Sequence, residues 1–551
     1  MLLDRRGFLK LLGGMAAGAA GLARGAGALS EVSSPEGDPW PDYEVELVPT
    51  ICQVCPGGCG ILVRVVDGRA VKIEGNPNHP VNRGRLCPKG HAGLEFLYHP
   101  ERVPGPLRRS GKRGEGRWQP ISWEEAIRTL AARLAELRKK GEPHKVALLG
   151  GQYRGSMDGL IQRFFRVYGS PNYIRNRCLE VEKVAKTHLL TQGIRLPLSY
   201  DLRECDFILS FGCNLLESWL SPVYQLSAYA HLRQGRPGRR GKLVQVETRL
   251  SVTAAKADRW IPIRPGTDCA LALGLAHVIV SEGNFDKEFV REHTFGFEDW
   301  TDEAGRHMGY KSLVLREYTL PKVSEITGVP IRDIIALARA FSEHERALAL
   351  GERGPAFHPN DIYTRLAIHS LNALTGNLGK PGTVLIQGEL PLTPWEEPEL
   401  DEVARRGLSM PRIDGAGRGK YFLADHAVEA LPRALLKGEP YGLEVLFFYF
   451  TNPLFSHPRG EELKRALARV PLVVSFSPFM DESALEADLV LPDSTYLERW
   501  QDDSVAHLSG FTAFSLGRPA VKPLHDTRST GELLLELARA IREPLAEAFE
   551  W

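Results

Sequence analysis

The chain has 551 residues, of which 43% are hydrophobic and 25% charged, and its formal net charge is +1. This length exceeds a single hydrophobic core, so we expect two to four globular domains. The balanced charge makes nucleic acid and anionic membranes poor default partners. After the first 30 or so residues, no stretch approaches the roughly 18 uninterrupted apolar residues of a membrane-spanning helix.

The first predicted element is an export signal over residues 1–28. Arg5 and Arg6 precede a weakly apolar stretch that ends in small residues, an order typical of the twin-arginine route, although Asp4 stands where Ser or Thr is usual. A transmembrane anchor is the alternative, and Arg24 and the high glycine content disfavour it. We therefore predict a protein exported already folded, to the periplasm or the outer face of the cytoplasmic membrane. Cysteines of such a protein remain available as metal ligands.

Next along the chain is a cysteine pattern, C-x2-C-x3-C-x27-C, formed by Cys52, Cys55, Cys59 and Cys87. Four thiolates suit a [4Fe–4S] cluster and also suit zinc, whereas a chain of this length has no need of a disulfide knot. The glycines in this loop favour the cluster, because they let the backbone approach sulfur closely. Strand patterns on both sides place the loop in a small β-rich unit. The remaining cysteines, Cys178 among them, have the pattern of buried apolar residues.

The rest of the chain alternates helices and short apolar strands. The apolar pattern of residues 122–141 predicts an amphipathic helix with Ser122 at its N-cap and Gly141 at its end. Later strands end in polar residues or glycine. This alternation indicates parallel, doubly wound α/β domains, whose ligands bind at the carboxyl ends of the strands.

Loops that follow these strands carry residue types suited to a nucleotide. A glycine lets phosphate approach the amides of a helix start, an acidic side chain accepts ribose hydroxyls, and an aspartate pairs with a guanine edge. Each loop alone is a weak signal, and the absence of a G-x-G-x-x-G fingerprint disfavours an ordinary NAD site. The candidates are Gly212, Asn214, Glu217 and Ser218, then Glu247, Arg249 and Ser251, then Gly266, Thr267 and Asp268.

Together these features resemble the catalytic subunit of molybdopterin oxidoreductases of the DMSO-reductase superfamily, most of all its polysulfide/thiosulfate reductase group. The resemblance runs from about residue 44 to about residue 545. The leader and the cysteine pattern carry it, followed by "RLCPKG", "FGCNLLES", "VETRLS", "LNALTGNLGKPG" and "ADLVLPDSTYLERW". It implies a [4Fe–4S] cluster and a molybdenum atom held by bis(molybdopterin guanine dinucleotide).

The resemblance also implies a domain organisation. A small β-rich [4Fe–4S] domain is expected over residues 44–105, completed by about 497–551. Two doubly wound α/β domains are expected to bind one dinucleotide each, the first over 106–175 and 345–496 and the second over 176–344. Relatives continue into a C-terminal β-barrel domain, and we expect that domain to be absent from this chain.

Individual residues take roles from the same resemblance. The four cysteines of the pattern match the cluster ligands. Lys89 matches a lysine between cluster and pterin that helps electrons pass, and otherwise is a surface lysine. Cys178 matches the protein ligand of molybdenum, and His358 is a candidate proton donor or, equally, a structural histidine. The strand-end loops match dinucleotide contacts, with Glu247 where the family usually has Asp.

The implied function is that of an exported, molybdenum- and iron–sulfur-dependent oxidoreductase of anaerobic respiration. It is expected to reduce or oxidise a small sulfur oxyanion or polysulfide, with electrons passing through the cluster from or to a quinone-linked partner. Relatives use a multi-cluster, ferredoxin-like subunit and an integral membrane subunit. The alternative is a non-catalytic electron-transfer or scaffold subunit of a respiratory complex that kept the fold and lost molybdenum.

Overall fold

The computed structural model describes residues 44–176, 179–194, 198–351, 360–386, 392–505 and 510–550. The cysteine-bearing unit comes first. Its sheet has the strand order Val45–Ile51, Gly60–Val66, Arg69–Gly75, and the last two strands form an antiparallel hairpin. Asp67 and Gly68 both have positive φ at the hairpin turn, as tight two-residue turns require. Two short helices, Pro88–His91 and Gly93–Leu97, complete the unit.

The first α/β domain is built on a largely parallel sheet. In sheet order its described strands are Trp118–Pro120, Leu107–Arg109, Leu489–Val490, Leu472–Ser475, Val445–Tyr449, Val146–Gly150 and Asn172–Arg175. From Leu489–Val490 onward, every pairing is parallel. The chain order reverses between Val146–Gly150 and Val445–Tyr449, which makes the carboxyl ends of these two strands the topological switch point.

Helices cover both faces of this sheet. Leu148 and Phe447 face one layer, and Leu149 and Phe448 face the other. These strands therefore read as continuous apolar runs, as buried parallel strands do. The described helices are Trp123–Lys139, Ser156–Tyr168, Glu402–Leu408, Leu431–Lys437, Pro453–Ser456, Gly460–Leu467, Glu482–Leu485 and Thr530–Ile541. Ser122 caps the first of them by accepting a hydrogen bond from the Glu125 amide, as the sequence predicts.

The second α/β domain has a parallel sheet with the described strand order Arg259–Pro262, Lys242–Glu247, Phe207–Phe211, Ala347–Leu350. Its switch point lies between the last two strands. Smaller strand pairs join Leu198–Tyr200 to Val384–Ile386 and Trp300–Asp302 to Gly305–His307. The described helices are Leu179–Gln192, Pro222–Gln234, Val252–Lys256, Asp268–Ser281, Lys287–His293, Tyr310–Glu317, Leu320–Thr327, Ile331–Glu343 and Asp361–Leu374.

The predicted domain boundary at residue 345 is wrong. Strand Ala347–Leu350 pairs with Phe207–Phe211, in the sheet of the second domain. Helix Asp361–Leu374 packs into the core of that same domain. The second domain therefore continues to about Ile386, and the chain returns to the first domain only after it.

The C-terminal part divides between two cores. Hairpin Gln501–Val505 with Ala513–Gly517 lies against the cysteine-bearing unit, and Val521 belongs to its apolar core. Helix Thr530–Ile541 instead packs into the core of the first α/β domain. The predicted completion of the cysteine unit by 497–551 thus holds only for the part before this helix.

The predicted α/β architecture with a small β-rich N-terminal unit is confirmed. The predicted export signal, residues 1–28, lies outside the described residues. Within the described ranges, no helix is long and apolar enough to cross a membrane.

Candidate functional site

The cysteine loop brings its thiols together in the β-rich unit. The Cys52 amide donates to the Cys59 carbonyl at 2.9 Å and closes the loop. Cys52 and Cys59 are buried, Cys55 and Cys87 are half-buried, and every described cysteine is free of a disulfide. Burial raises the pKa of Cys52 to about 11, and the charges of Cys55 and Cys87 act in the same direction. Burial and the charges of Cys52, Cys55 and Cys87 also raise the pKa of Cys59, so the four side chains lie close enough to interact.

The donor set of this unit suits an iron–sulfur cluster. Cysteine thiolates are the usual ligands of a four-iron cluster, one to each iron. The glycines of the loop let its backbone approach the sulfurs closely. The residues present fit a [4Fe–4S] cluster, whose iron would offset the charge of buried thiolates.

Two glycines make the tight course of this loop possible. A Cβ on Gly57 would lie 3.3 Å from the Cys55 sulfur. Gly58 has φ +60°, and a Cβ there would lie 2.0 Å from Cγ2 of Val505. The Ser221 hydroxyl donates to the Gly57 carbonyl at 2.7 Å, so the loop is held from the second α/β domain as well.

Gly58→Ala is expected to destabilise the protein by about 2–4 kcal/mol and to lower its iron content, because it combines overpacking with a left-handed backbone. Gly68→Ala is the matched control. Its φ is +76°, but a Cβ there meets no described atom within 4 Å, so we expect a cost of about 1 kcal/mol and normal iron. Urea unfolding and iron assays of both variants test this. Equal effects in the two would show that contact with Val505 is unimportant.

Lys89 lies two residues beyond the fourth cysteine, Cys87. It is the second residue of the short helix Pro88–His91, whose N-cap is Cys87, and it is exposed. Its predicted role in electron passage stays a prediction.

The second sheet brings the predicted dinucleotide loops to one edge. Phe211 lies beside Val246 in register, and Glu247 lies beside Pro262. Gly212, with φ +59°, continues the first strand and donates its amide to the Val246 carbonyl at 2.8 Å. Loops that are far apart in sequence thus leave neighbouring strands at the same carboxyl edge, where doubly wound folds bind ligands.

Two acidic side chains dominate this edge. Glu247 is buried, and its Oε2 accepts from the Ser251 hydroxyl at 2.6 Å and from Gln245 at 3.2 Å. Glu217 accepts from the Val252 amide at 3.3 Å through Oε1, while its buried Oε2 has no hydrogen-bond partner among the described residues. Such a carboxylate oxygen is chemically suited to accept from a ligand hydroxyl.

The remaining candidates surround these acids. Arg249 is 61% exposed, with its guanidinium 3.5 Å from Glu247 and 3.8 Å from Glu217. The Asn214 carbonyl accepts the amides of the turn that holds Glu217 and Ser218. Gly266 has φ +74°, and Thr267 and Asp268 begin helix Asp268–Ser281. The edge offers backbone amides, two carboxylates and the exposed guanidinium of Arg249. Groups of these kinds bind the phosphates and ribose hydroxyls of a dinucleotide.

Sequence reasoning missed the corresponding edge of the first sheet. A cavity of about 360 Å³ opens there, and a neighbouring one of about 310 Å³ reaches Cys55. The signal was present, since "GGQ" and "FTNP" follow the two strands at the switch point. Lining residues include Gln53, Val54, Gly151, Gln152, Phe450, Thr451, Asn452, Ser477, Asp481 and Arg499.

Arg499 anchors the wall of the larger cavity. Its side chain is only 9% exposed, and it donates to Asp493 at 2.6 Å and to Gln53 of the cysteine loop at 3.2 Å. Gly151 lies so close to the neighbouring strand end that a Cβ would stand 1.9 Å from the Phe450 carbonyl oxygen. The cysteine loop and the first sheet therefore share this cavity.

Two predicted residues, Cys178 and His358, lie outside the described residues. The described strands before them end at Arg175 and Leu350, one in each sheet. Their roles remain predictions from the resemblance.

A protein with a four-cysteine cluster unit and two ligand-binding sheet edges is a cofactor-dependent redox protein by its architecture. Comparison with known families identifies which one. Residues 45–99 match the molybdopterin oxidoreductase Fe4S4 domain, and residues 102–540 match the molybdopterin oxidoreductase domain. The chain belongs to the molybdopterin oxidoreductase family, which confirms the resemblance. Its cofactors are a [4Fe–4S] cluster and molybdenum held by bis(molybdopterin guanine dinucleotide), as predicted.

Several relatives have a known description. The arsenate respiratory reductase molybdopterin-containing subunit of Shewanella sp. (strain ANA-3) is 32% identical, over 88% of this chain and 59% of that protein. The menaquinone reductase molybdopterin-binding-like subunit of Nitratidesulfovibrio vulgaris is 30% identical, over 98% and 72%. The thiosulfate reductase molybdopterin-containing subunit of Salmonella typhimurium is 28% identical, over 100% and 70%. The chain thus spans 59–72% of the length of these relatives.

A solved structure shares the fold. Acetylene hydratase from Pelobacter acetylenicus superposes with a TM-score of 0.72 at 25% identity, over 92% of this chain and 70% of that one.

Proposed function

We propose that this chain is the molybdenum-containing unit of an exported oxidoreductase that acts on a small sulfur oxyanion or polysulfide. The observation that carries the proposal is the shared cavity between the cysteine loop and the first sheet. Gln53 to Pro56 line it from one side and Phe450 to Asn452 from the other. This arrangement brings an electron-transfer cluster next to a cofactor site. The thiosulfate reductase relative supports the choice of substrate class.

Each group of residues in the chain would have a separate role. Cys52, Cys55, Cys59 and Cys87 hold the cluster, and Lys89 lies just beyond the last of them. The carboxyl edges of the two sheets hold the dinucleotide arms, with Glu217 and Glu247 accepting hydroxyl hydrogens. When bound, the molybdenum cofactor supplies two-electron oxygen- or sulfur-atom chemistry, and the protein supplies ligands, orientation and electrostatics. Cys178 would be the protein ligand of the metal, and His358 a proton donor.

The electron partner would be linked to quinone. The relative from Nitratidesulfovibrio vulgaris is named as a subunit of menaquinone reductase, which supports a multi-subunit arrangement. We propose a multi-cluster, ferredoxin-like subunit that contacts the cysteine unit and an integral membrane subunit that reacts with quinone.

The same relative favours a second candidate function. It is described as molybdopterin-binding-like, and it covers almost the whole of this chain. A non-catalytic electron-transfer or scaffold subunit would keep the cluster and the sheet edges and would bind no molybdenum.

Metal analysis separates the two candidates. The protein is produced in a molybdenum-replete host, and iron and molybdenum are counted per chain. About one molybdenum per chain, with reduction of thiosulfate or polysulfide by a viologen donor, supports the enzyme. Iron without molybdenum supports the scaffold. Activity with arsenate or nitrate and none with sulfur compounds would reject the proposed substrate class.

Export is proposed from the leader. Replacing Arg5 and Arg6 with Lys is expected to leave the precursor in the cytoplasm, because the twin-arginine pair is the recognised part of such a signal. Fractionation followed by immunoblotting measures this. Unchanged export of the double variant would disprove the twin-arginine route.

A further inference from the structure

An ion pair joins the first α/β domain to the cysteine-bearing part of the protein. Arg154 follows the carboxyl end of strand Val146–Gly150, and Asp503 lies on the hairpin strand Gln501–Val505. The Arg154 Nε donates to Asp503 Oδ1 at 2.6 Å, and one terminal nitrogen donates to Oδ2. The Asp503 side chain is 1% exposed and that of Arg154 is 24% exposed. The guanidinium is therefore held in one bidentate geometry, largely away from solvent.

A second contact fixes the same segment. The carboxylate of Asp502 accepts the Ser156 amide at 2.8 and 3.0 Å and the Ser156 hydroxyl at 3.0 Å. Ser156 begins helix Ser156–Tyr168, so this carboxylate also meets the positive end of the helix dipole. Two adjacent acids of the hairpin thus position residues 154–156.

The pair lies beside the cysteine loop. Asp503 Oδ2 is 3.5 Å from the point where a Cβ of Gly58 would be, directly before Cys59. Because Arg154 is hydrogen-bonded to both oxygens of this carboxylate, its guanidinium also lies beside the loop that carries Cys59. A fixed cation next to this loop is not required for ligation, because it contributes no ligand atom.

We propose that Arg154, held by Asp503, is a positioning residue that sets the reduction potential of the [4Fe–4S] cluster. The reduced cluster carries one more negative charge than the oxidised cluster, so a nearby fixed cation stabilises the reduced form and raises the potential. Partial burial keeps solvent from screening this interaction. The inference depends on cluster binding and is independent of the substrate proposed above.

Arg154→Gln tests it. The expected result is full iron content with a lower midpoint potential in an EPR-monitored redox titration, while Arg154→Lys retains most of the wild-type potential. Arg133→Gln is the matched control, since it makes the same charge change. Arg133 is 27% exposed in an ion pair with Glu444, before the amino end of strand Val445–Tyr449. Its removal is expected to leave the potential unchanged.

Equal potentials in Arg154→Gln and Arg133→Gln would overturn the proposal. So would a shift in Arg154→Lys as large as that in Arg154→Gln, because charge would then not be the cause. If Arg154→Gln loses its iron, the double variant Arg154→Gln/Asp503→Asn is compared with Asp503→Asn alone. Both proteins lack the Asp503 charge, so a lower potential in the double variant supports the proposal, and equal potentials overturn it.

Discussion

Cys55→Ser is expected to abolish the broad iron–sulfur absorption and most of the bound iron. Serine retains the shape of the side chain but removes the thiolate, which is the group that iron requires. The Cys55 sulfur lies in the tightest part of the loop, against Gly57.

Loss of the cluster is also expected to destabilise the cysteine-bearing unit by more than about 4 kcal/mol, because binding of a structural metal group contributes directly to folding. The loop closes through a single backbone hydrogen bond from the amide of Cys52 to the carbonyl of Cys59, and the cluster would add a bond to each of the four sulfurs. Limited proteolysis of the region before residue 105, with thermal unfolding and iron analysis, measures the effect.

Cys269→Ser is the control for this variant. Cys269 is likewise only partly exposed and free of a disulfide, but it lies outside the motif, so its iron content is expected to match the wild type. A Cys55→Ser protein with full iron content would show that Cys55 is not a ligand.

Local signals in the sequence were sufficient for the elements themselves. The Ser122 cap and the apolar strand runs each depend on residues adjacent in the chain, and both are present in the structure. The cysteine spacing predicted the cluster unit for the same reason, since three of its ligands lie within eight residues.

Assignment of strands to sheets could not be predicted locally. Strands Ala347–Leu350 and Val445–Tyr449 are both short, apolar and fully buried, yet they belong to different domains. Composition predicts that a strand forms, but its partner is selected by packing with distant residues. For this reason the sequence did not predict that helix Thr530–Ile541 packs into the first domain. For the same reason it placed the domain boundary at residue 345, before a strand that belongs to the second domain.

The same distinction between local and long-range signals holds for the candidate site. Loops with a distinctive composition, such as the one with Gly212 and the one with Glu247, were found from the sequence. The edge at Phe450 is marked in the sequence only by the short segments "GGQ" and "FTNP". Its role comes from facing Gly151 across a switch point. The pair of Arg154 and Asp503 joins residues 349 positions apart, so only the fold reveals it.

Cys178→Ala is expected to reduce turnover by about two orders of magnitude or more, with iron content intact. The resemblance assigns its thiolate to molybdenum, and the identity of the protein ligand is a main determinant of metal reactivity. The residue lies outside the cluster motif, so the cluster is expected to assemble normally. The dinucleotide arms are predicted to bind at the sheet edges, at Gly212, Glu247 and Gly266 among others, so much of the cofactor is expected to stay bound.

Turnover, rather than stability, separates this role from that of an ordinary buried thiol. Removing a buried sulfur is expected to cost about 1–2 kcal/mol whatever its function. Cys205→Ala is therefore the matched control. Its thiol is buried and donates only weakly, to the Leu202 carbonyl at 3.4 Å, so it is expected to lose similar stability and keep its turnover.

The decisive comparison is the reductase rate with a viologen donor, normalised to iron and molybdenum per chain, for the wild type, Cys178→Ala and Cys205→Ala. If the first variant alone loses turnover at normal iron content, the thiolate acts on the metal. Near-normal turnover of Cys178→Ala at normal metal content would instead place Cys178 with Cys205 among the buried apolar residues, and the molybdenum would then have no ligand from this position.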